Sequence, residues 1–244
     1  MGVAFSRAYD AAEMRSLPPL VASLARIPFF AGLDDDALER LAAGTRTRRF
    51  RRGEVIFHAG DPGDALFIIV SGEVKISLPS EDGDEAILVR LARGDVFGEL
   101  ALLDGAPRSA TATALTAVET VVLPRDRFRE LIANEPVVRD ALLASLAAEL
   151  RRLTTHVEEL HFLDITGRLA ARLVRLAQEG SPTDDGGIRL RANLTQADLA
   201  AMVGCTRQSV NKLLGQFTDD GLIRQERDGI VITDLPGLVA TARR

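Results

Sequence analysis

Phe97-Gly98-Glu99-Leu100-Ala101-Leu102-Leu103-Asp104-Gly105-Ala106-Pro107-Arg108-Ser109-Ala110 is the stretch from which the rest of the chain is read. It sets a glycine, an acid, a second glycine and an Arg-Ser pair around a short apolar turn. Gly98 has no Cβ, so the backbone there can come close to a ligand. A short helix opening at Glu99 leaves its first N–H groups without intrahelical partners, and such groups suit an anion. Arg108 can fork onto a phosphate with two charge-assisted bonds, and Ser109 can add a hydroxyl. Glu99 has no business beside a phosphate unless it accepts a hydrogen bond from a ribose hydroxyl. The combination asks for a phosphorylated nucleoside held by sugar and phosphate at one place. A blander reading has Arg108 pairing with Glu99 or another surface acid.

Around this stretch the pattern is one of short β runs: Val55-Ile56-Phe57, Leu66-Phe67-Ile68-Ile69-Val70, Val74-Lys75-Ile76-Ser77-Leu78, Ile87-Leu88-Val89 and Val118 to Leu123. Gly53, Gly60, Asp61-Pro62-Gly63, Ser71-Gly72, Asp82-Gly83 and Arg93-Gly94 punctuate them. Closely spaced strands with glycine turns predict a sandwich or rolled barrel from about Phe50 onward. Upstream, Asp34 reads as an N-cap, with Leu33 and Leu38 spaced as a hydrophobic staple. Residues 1–26, broken by Pro18-Pro19, read as an arm or short helix outside the main fold. Pro124 ends the last strand and opens a helix.

A long helix is predicted from about Val137 to Leu163. Leu143, Leu146, Leu150, Leu153, Val157 and Leu160 recur at alternating spacings of three and four, a heptad seam. A helix packed only on its own domain wants a wider apolar stripe. The narrow stripe, flanked by Glu149, Arg151, Arg152, Glu158 and Glu159, predicts a parallel homodimer. Near Asp164 to Gly167 the chain changes direction at a hinge. Leu169, Leu173 and Leu176 then continue an amphipathic helix as far as the loop at Gly180-Ser181-Pro182 and Gly186-Gly187.

The segment from Leu194 to Leu214 has helix-turn-helix form. Thr195 caps the first helix with Asp198 at the capping-box position, Gly204 supplies the turn and Thr206 caps the second helix. Leu199, Val203, Val210 and Leu213 are the expected buried set. Arg207, Gln208, Ser209, Asn211 and Lys212 then point outward, two cations and two amides that suit base edges in a major groove. Ile223–Arg227 and Ile230–Ile232 across Asp228-Gly229 predict a hairpin wing. The alternative is a helical pair for protein contacts with a solvated polar face.

At 244 residues the chain can bury two modest cores. Its net charge of −5 does not exclude DNA, because a small basic face suffices. Cys205 is the single cysteine, which rules out a disulfide framework and a cysteine-rich cluster; in the turn it is expected to pack. His58 is alone in the β region, and His156 and His161 are five apart on one helix and share no face, so no metal or haem site is expected. No nucleophile–base pair marks an enzyme. No apolar run approaches a membrane span and Met1–Leu20 lacks a signal-peptide core, so a cytoplasmic protein without membrane contact is expected.

The cassette at 97–110, taken with the seam and the helix-turn-helix, resembles the Crp/Fnr superfamily of transcription regulators from about Ile27 to the end. The resemblance implies an α+β chain: a jelly-roll-like cyclic-nucleotide-binding β-roll (27–136), a dimerisation helix (137–164) and a winged helix-turn-helix (165–244). It implies that Gly98, Glu99 and Leu100 line the ribose side and that Arg108 and Ser109 hold the cyclic phosphate. In the cAMP-responsive branch the dimer helix offers two adjacent hydroxyls to adenine. Ungapped alignment of Phe162-Leu163-Asp164 puts Leu153 and Thr154 there; Thr154 fits and Leu153 cannot bond a base. cAMP is the favoured effector, with cGMP, a cyclic dinucleotide or action without nucleotide as alternatives. Thr206 to Lys212 would face a pseudo-palindromic operator, with Arg207 and Lys212 matching arginines that read guanine. Gln208 stands where the family has a glutamate that accepts from cytosine, which puts the operator sequence at that base pair in question. RNA polymerase is a further partner the resemblance allows, with no surface for it marked in the sequence.

Overall fold

The structure is a computed structural model and describes residues 18–79, 85–190, 194–226 and 229–243. It divides into two compact units. Among the described residues one holds 18–79 and 88–149, and the other holds 85–87 and 150–243.

In the first unit α1 (Pro19–Ala25), a 3-10 turn (Pro28–Phe30) and α2 (Asp35–Ala43) precede eight strands. These are β1 (Arg46–Phe50), β2 (Val55–Phe57), β3 (Ala65–Ser71), β4 (Val74–Pro79), β5 (Glu85–Leu91), β6 (Val96–Phe97), β7 (Thr111–Ala114) and β8 (Val118–Pro124). α3 (Leu100–Asp104) lies between β6 and β7, and α4 (Arg125–Asn134) and α5 (Pro136–Phe162) follow β8. The strands form two four-stranded sheets, ordered β1-β8-β3-β6 and β2-β7-β4-β5.

Strand periodicity explains how two cores coexist in this unit. Successive side chains on a strand point to opposite faces. On β3, Ala65, Phe67 and Ile69 enter a core shared with Ile56, Val74, Ala112 and Ala114 of the other sheet. Leu66 and Ile68 enter a second core made with the helices, among them Leu38, Phe128 and Val138. β8 repeats the division, with Val118 and Val122 between the sheets and Val121 and Leu123 under the helices. A strand buried on both faces reads as the continuous apolar run found at Leu66–Val70.

The N-cap expected at Asp34 forms, with Oδ1 accepting from the Ala37 N–H at 2.8 Å. Two expectations change. Residues 19–25 are not an arm outside the fold: they form α1, whose Val21 and Leu24 are sealed in the helical core. Residues 1–17 lie outside the described residues, as does the Asp82-Gly83 turn. The sheet also begins before Phe50, because Arg46–Arg49 pair with Val122–Glu119 as an edge strand. All four are exposed, so no alternation marks them.

The second unit contains the last turns of α5, then α6 (Ile165–Ala177), β9 (Ser181–Pro182), β10 (Ile188–Arg189), α7 (Gln196–Val203), α8 (Arg207–Asp219), β11 (Ile223–Glu226), β12 (Gly229–Ile232) and α9 (Leu235–Thr241). Its core joins Leu169 and Leu173 of α6 to Leu199 and Val203 of α7, Val210, Leu213 and Phe217 of α8, and Leu238 of α9. Asp164 caps α6 by accepting from the Gly167 N–H at 2.7 Å. The loop expected at Gly180 to Gly187 is a small hairpin: β9 pairs β10, which pairs β12, giving a sheet ordered β11-β12-β10-β9. Two-residue strands are too short to leave a periodic trace. The wing forms as β11 and β12, with its tip residues 227–228 outside the described ones.

Candidate functional site

β6 delivers Gly98 and Glu99, α3 follows, and the return to β7 delivers Arg108 and Ser109. Arg108 is the organising side chain. It is buried, with Nη1 donating to the Gly98 carbonyl at 2.6 Å and Nη2 donating to the Ala65 carbonyl at 2.7 Å. Its guanidinium carbon lies 4.3 Å from the centre of the Phe57 ring and 5.7 Å from that of Phe67, a cation–π arrangement. Asp64 is 3.9 Å away. Burial pushes the Arg108 pKa down, opposed by the charges of Asp64 and Glu99. Among the described residues, Arg108 Nε is the buried side-chain nitrogen or oxygen atom with no hydrogen-bond partner. Arg108 is therefore buried, although the exposed carboxylate of Asp64 pairs with it at 3.9 Å.

Gly98 has a role beyond the one its residue type announces. Its φ is +85°, and a Cβ there would stand 2.6 Å from Arg108 Nη1. The missing side chain makes room for the guanidinium in addition to leaving the backbone bare. Arg125 was not legible as a site residue. Its Nη2 donates to the carbonyls of Gly63 and, at 3.1 Å, Ala101, bracing the loop before β3 against α3. The main chain adds its own stitch, Arg108 N–H to the Asp61 carbonyl and Gly60 N–H to the Arg108 carbonyl, both 2.8 Å.

Burial holds the Glu99 carboxyl above its ordinary value, with Glu149 adding to the shift while its own backbone N–H and Arg108 oppose it. Glu99 stands at the N-cap of α3 without a side-chain cap bond. Leu100 and Ser109 are exposed. Gly98, Glu99, Leu100, Arg108 and Ser109 are thus gathered on one turn of the first unit. Thr154 lies in the second unit, exposed on α5, its hydroxyl donating to the Leu150 carbonyl at 3.0 Å.

Along α5, Leu143, Leu150, Leu153, Val157 and Leu160 are exposed, Leu150 by 66%. Leu146, at seam spacing, is partly buried against the helical core that holds Val138 and Leu142. Early in α5 one face is claimed by its own unit, so a residue at seam spacing falls under that packing. Phe162 is 80% exposed, but two residues past Leu160 it points about 200° round the helix from it and lies off the stripe.

The helix-turn-helix is built as its caps dictate. Thr195 and Asp198 form the reciprocal box, each backbone N–H donating to the other's side chain at 3.0 Å. Gly204 ends α7 in the left-handed conformation, and Thr206 Oγ1 accepts from the Ser209 N–H at 3.1 Å. Arg207, Gln208, Asn211 and Lys212 are exposed. Ser209 differs from expectation: it is half-buried and its hydroxyl lies 2.9 Å from that of Thr206, so it serves the cap. Asn211 accepts a bond from Gln196, a residue the sequence did not single out. Cys205 is half-buried against the core, and burial pushes its thiol up, which fits packing.

Residues 47–135 match the cyclic nucleotide-binding domain and residues 167–241 the Crp-like helix-turn-helix domain. The chain is 39% identical over 220 residues to the CRP-like cAMP-activated global transcriptional regulator of Mycobacterium tuberculosis, covering 90% of this chain and 98% of that protein. It is 33% identical over 200 residues to the cAMP-activated global transcriptional regulator CRP of Escherichia coli O157:H7, covering 81% and 94%. Among solved structures, the c-di-GMP-responsive global regulator CLP of Xanthomonas campestris aligns with a TM-score of 0.73 at 26% identity, over 82% of this chain and 99% of that one.

Proposed function

Since this chain belongs to the Crp/Fnr superfamily of transcription regulators, we propose that it acts as a homodimer whose affinity for a pseudo-palindromic operator is set by cAMP held in the β-roll. At the coarser level the chain is a DNA-binding transcription regulator with a cyclic-nucleotide-binding domain. Among the described residues no helix is long and apolar enough to cross a membrane. A regulator of operators works where the DNA is, in the cytoplasm, and RNA polymerase is its natural further partner.

The observation that carries the nucleotide reading is Arg108 Nε, buried and without an acceptor. Leaving such a donor unpaired costs about 1–3 kcal/mol, and a phosphate oxygen relieves that cost. Ser109 lies next to it to add a hydroxyl, Glu99 and Leu100 to receive the ribose with Gly98. Thr154 would offer its hydroxyl to the base. The exposed stripe from Leu143 to Leu160 supports pairing with a second copy through α5.

A second reading, a regulator that acts without nucleotide, is favoured by one fact. Arg108 Nη1 and Nη2 already donate to the Gly98 and Ala65 carbonyls, so a phosphate must share or displace them. Thermal unfolding of the full chain with cAMP, cGMP and cyclic di-GMP separates the readings. A ligand that binds only the folded state at a hundredfold excess over its Kd adds about 2.7 kcal/mol. cAMP is expected to raise the Tm of the wild type and not of Arg108→Leu. A panel in which no nucleotide moves the wild-type Tm supports the second reading.

A further inference from the structure

Gln196 opens α7 and Asn211 stands in the second turn of α8, and Gln196 Nε2 donates to Asn211 Oδ1 at 3.0 Å. Asn211 is four residues after Arg207 and three after Gln208, so all three lie on one face of α8. A free asparagine reads adenine with both ends of its amide, Oδ1 accepting from N6 and Nδ2 donating to N7. That readout needs the amide plane free to align with the base edge. Here the plane is held from α7. The oxygen and nitrogen of an amide diverge from one carbon, so tying the oxygen to Gln196 turns the nitrogen away from it.

We infer that Gln196 is a specificity-determining, positioning residue: it holds the Asn211 amide with one of the two lone pairs of Oδ1 already taken, so that the DNA meets chiefly Nδ2, a donor. On the reading that α8 enters the major groove, which this inference rests on, Asn211 then selects a base edge rich in acceptors, the N7 and O6 of guanine or the O4 of thymine, over the mixed edge of adenine. Gln196 also supports α8 from outside the buried core, so its contribution is to the direction of one side chain. Arg207, Gln208 and Lys212 keep their own orientations without it, since no bond joins Gln196 to them among those described.

Selection of operators from a random double-stranded pool tests this, with full-length wild type, Asn211→Ala, Gln196→Ala and Gln196→Glu, all with cAMP and compared by base preference within each protein. Wild type should enrich guanine or thymine at one position per half-site, and Asn211→Ala should flatten that position. Gln196→Ala frees the amide and should raise adenine there by about fivefold, the worth of one neutral hydrogen bond. Gln196→Glu can only accept, so it takes Asn211 Nδ2, leaves Oδ1 outward, and should move the preference to the donor edges of cytosine or adenine. The added charge weakens all sites alike and leaves relative preferences readable, and unchanged Tm values for both Gln196 variants would exclude a folding defect. A motif unmoved by either Gln196 variant overturns the inference alone. A wild-type pool that enriches no motif with cAMP, nor when the selection is repeated with cGMP, with cyclic di-GMP and without nucleotide, overturns the DNA-reading assignment and this inference with it.

Discussion

The Arg108 guanidinium donates to the Gly98 carbonyl at 2.6 Å and stands equally near, 2.6 Å, to the point a Cβ on residue 98 would occupy. The pair is therefore a steric unit: the arginine can be buried only because residue 98 has no side chain. Both carbonyls that receive its protons would be left wanting if it moved.

Gly98→Ala should cost about 3 kcal/mol of stability, combining a left-handed backbone with displacement of a bonded guanidinium. Gly105→Ala is the control, because Gly105 shares the positive φ, +78°, yet has nothing within 4 Å of the added Cβ. It should lose only about 1–2 kcal/mol. Urea unfolding of both variants checks the difference; equal losses would separate Gly98 from Arg108.

Glu99 predicts an unusual pH dependence. Burial raises its folded pKa above the ordinary 4.5 of the unfolded chain. The stability it contributes is complete below that unfolded value and is lost as pH rises through the folded one, so the charged carboxylate is a net cost at neutral pH. Glu99→Gln should be at least as stable as wild type at pH 7, and any advantage should shrink as pH falls toward 4.5. It should also weaken nucleotide binding, because a neutral amide oxygen accepts from a ribose hydroxyl less strongly than a carboxylate does. Tm measured against pH tests the first part, and an advantage that grows on acidification contradicts it.

Leu150 and Leu146 should behave differently although both have seam spacing. In a two-fold dimer each substitution counts twice. Leu150→Ala removes about 2 kcal/mol of burial per chain, about 4 kcal/mol per dimer, or roughly a thousandfold in dimer dissociation. Leu146→Ala opens a space beside Val138 and Leu142 and should show mainly as lower stability of the β-roll unit. Sedimentation velocity read beside unfolding curves distinguishes the two.

Arg207→Ala should cost about 1–3 kcal/mol on the cognate operator and relax preference at one base pair. Competition binding with single-base operator variants measures it. An equal loss on every sequence would make Arg207 a phosphate contact.

Much of the fold was legible because its signals are local. Asp34, Thr195 and Thr206 each bond a backbone N–H three residues on, and a capping bond of that reach is written in the residue order itself. Of the five strands read from the sequence, β3 is a continuous apolar run because both its faces are buried. Arg46–Arg49 and the hairpin of β9 with β10 left no trace, since an exposed edge and a two-residue strand have no periodicity. The same holds for α1: Pro18-Pro19 marks a break, but only packing turns Val21 and Leu24 inward.

Residue order by itself determined the cassette, its arginine and glycine, the caps and turn of the DNA-reading unit, and an apolar stripe on α5. Each depends on neighbours within a helical turn or on a period along one strand. Tertiary structure alone decided that Arg108 lies buried under the carbonyl of Ala65, 43 residues away, that Asn211 is held by Gln196, 15 residues back, and that Leu146 belongs to its own unit's core. A side chain's direction is set by whichever acceptor, ring or cavity the folded chain brings beside it, and that neighbour has no fixed separation in sequence.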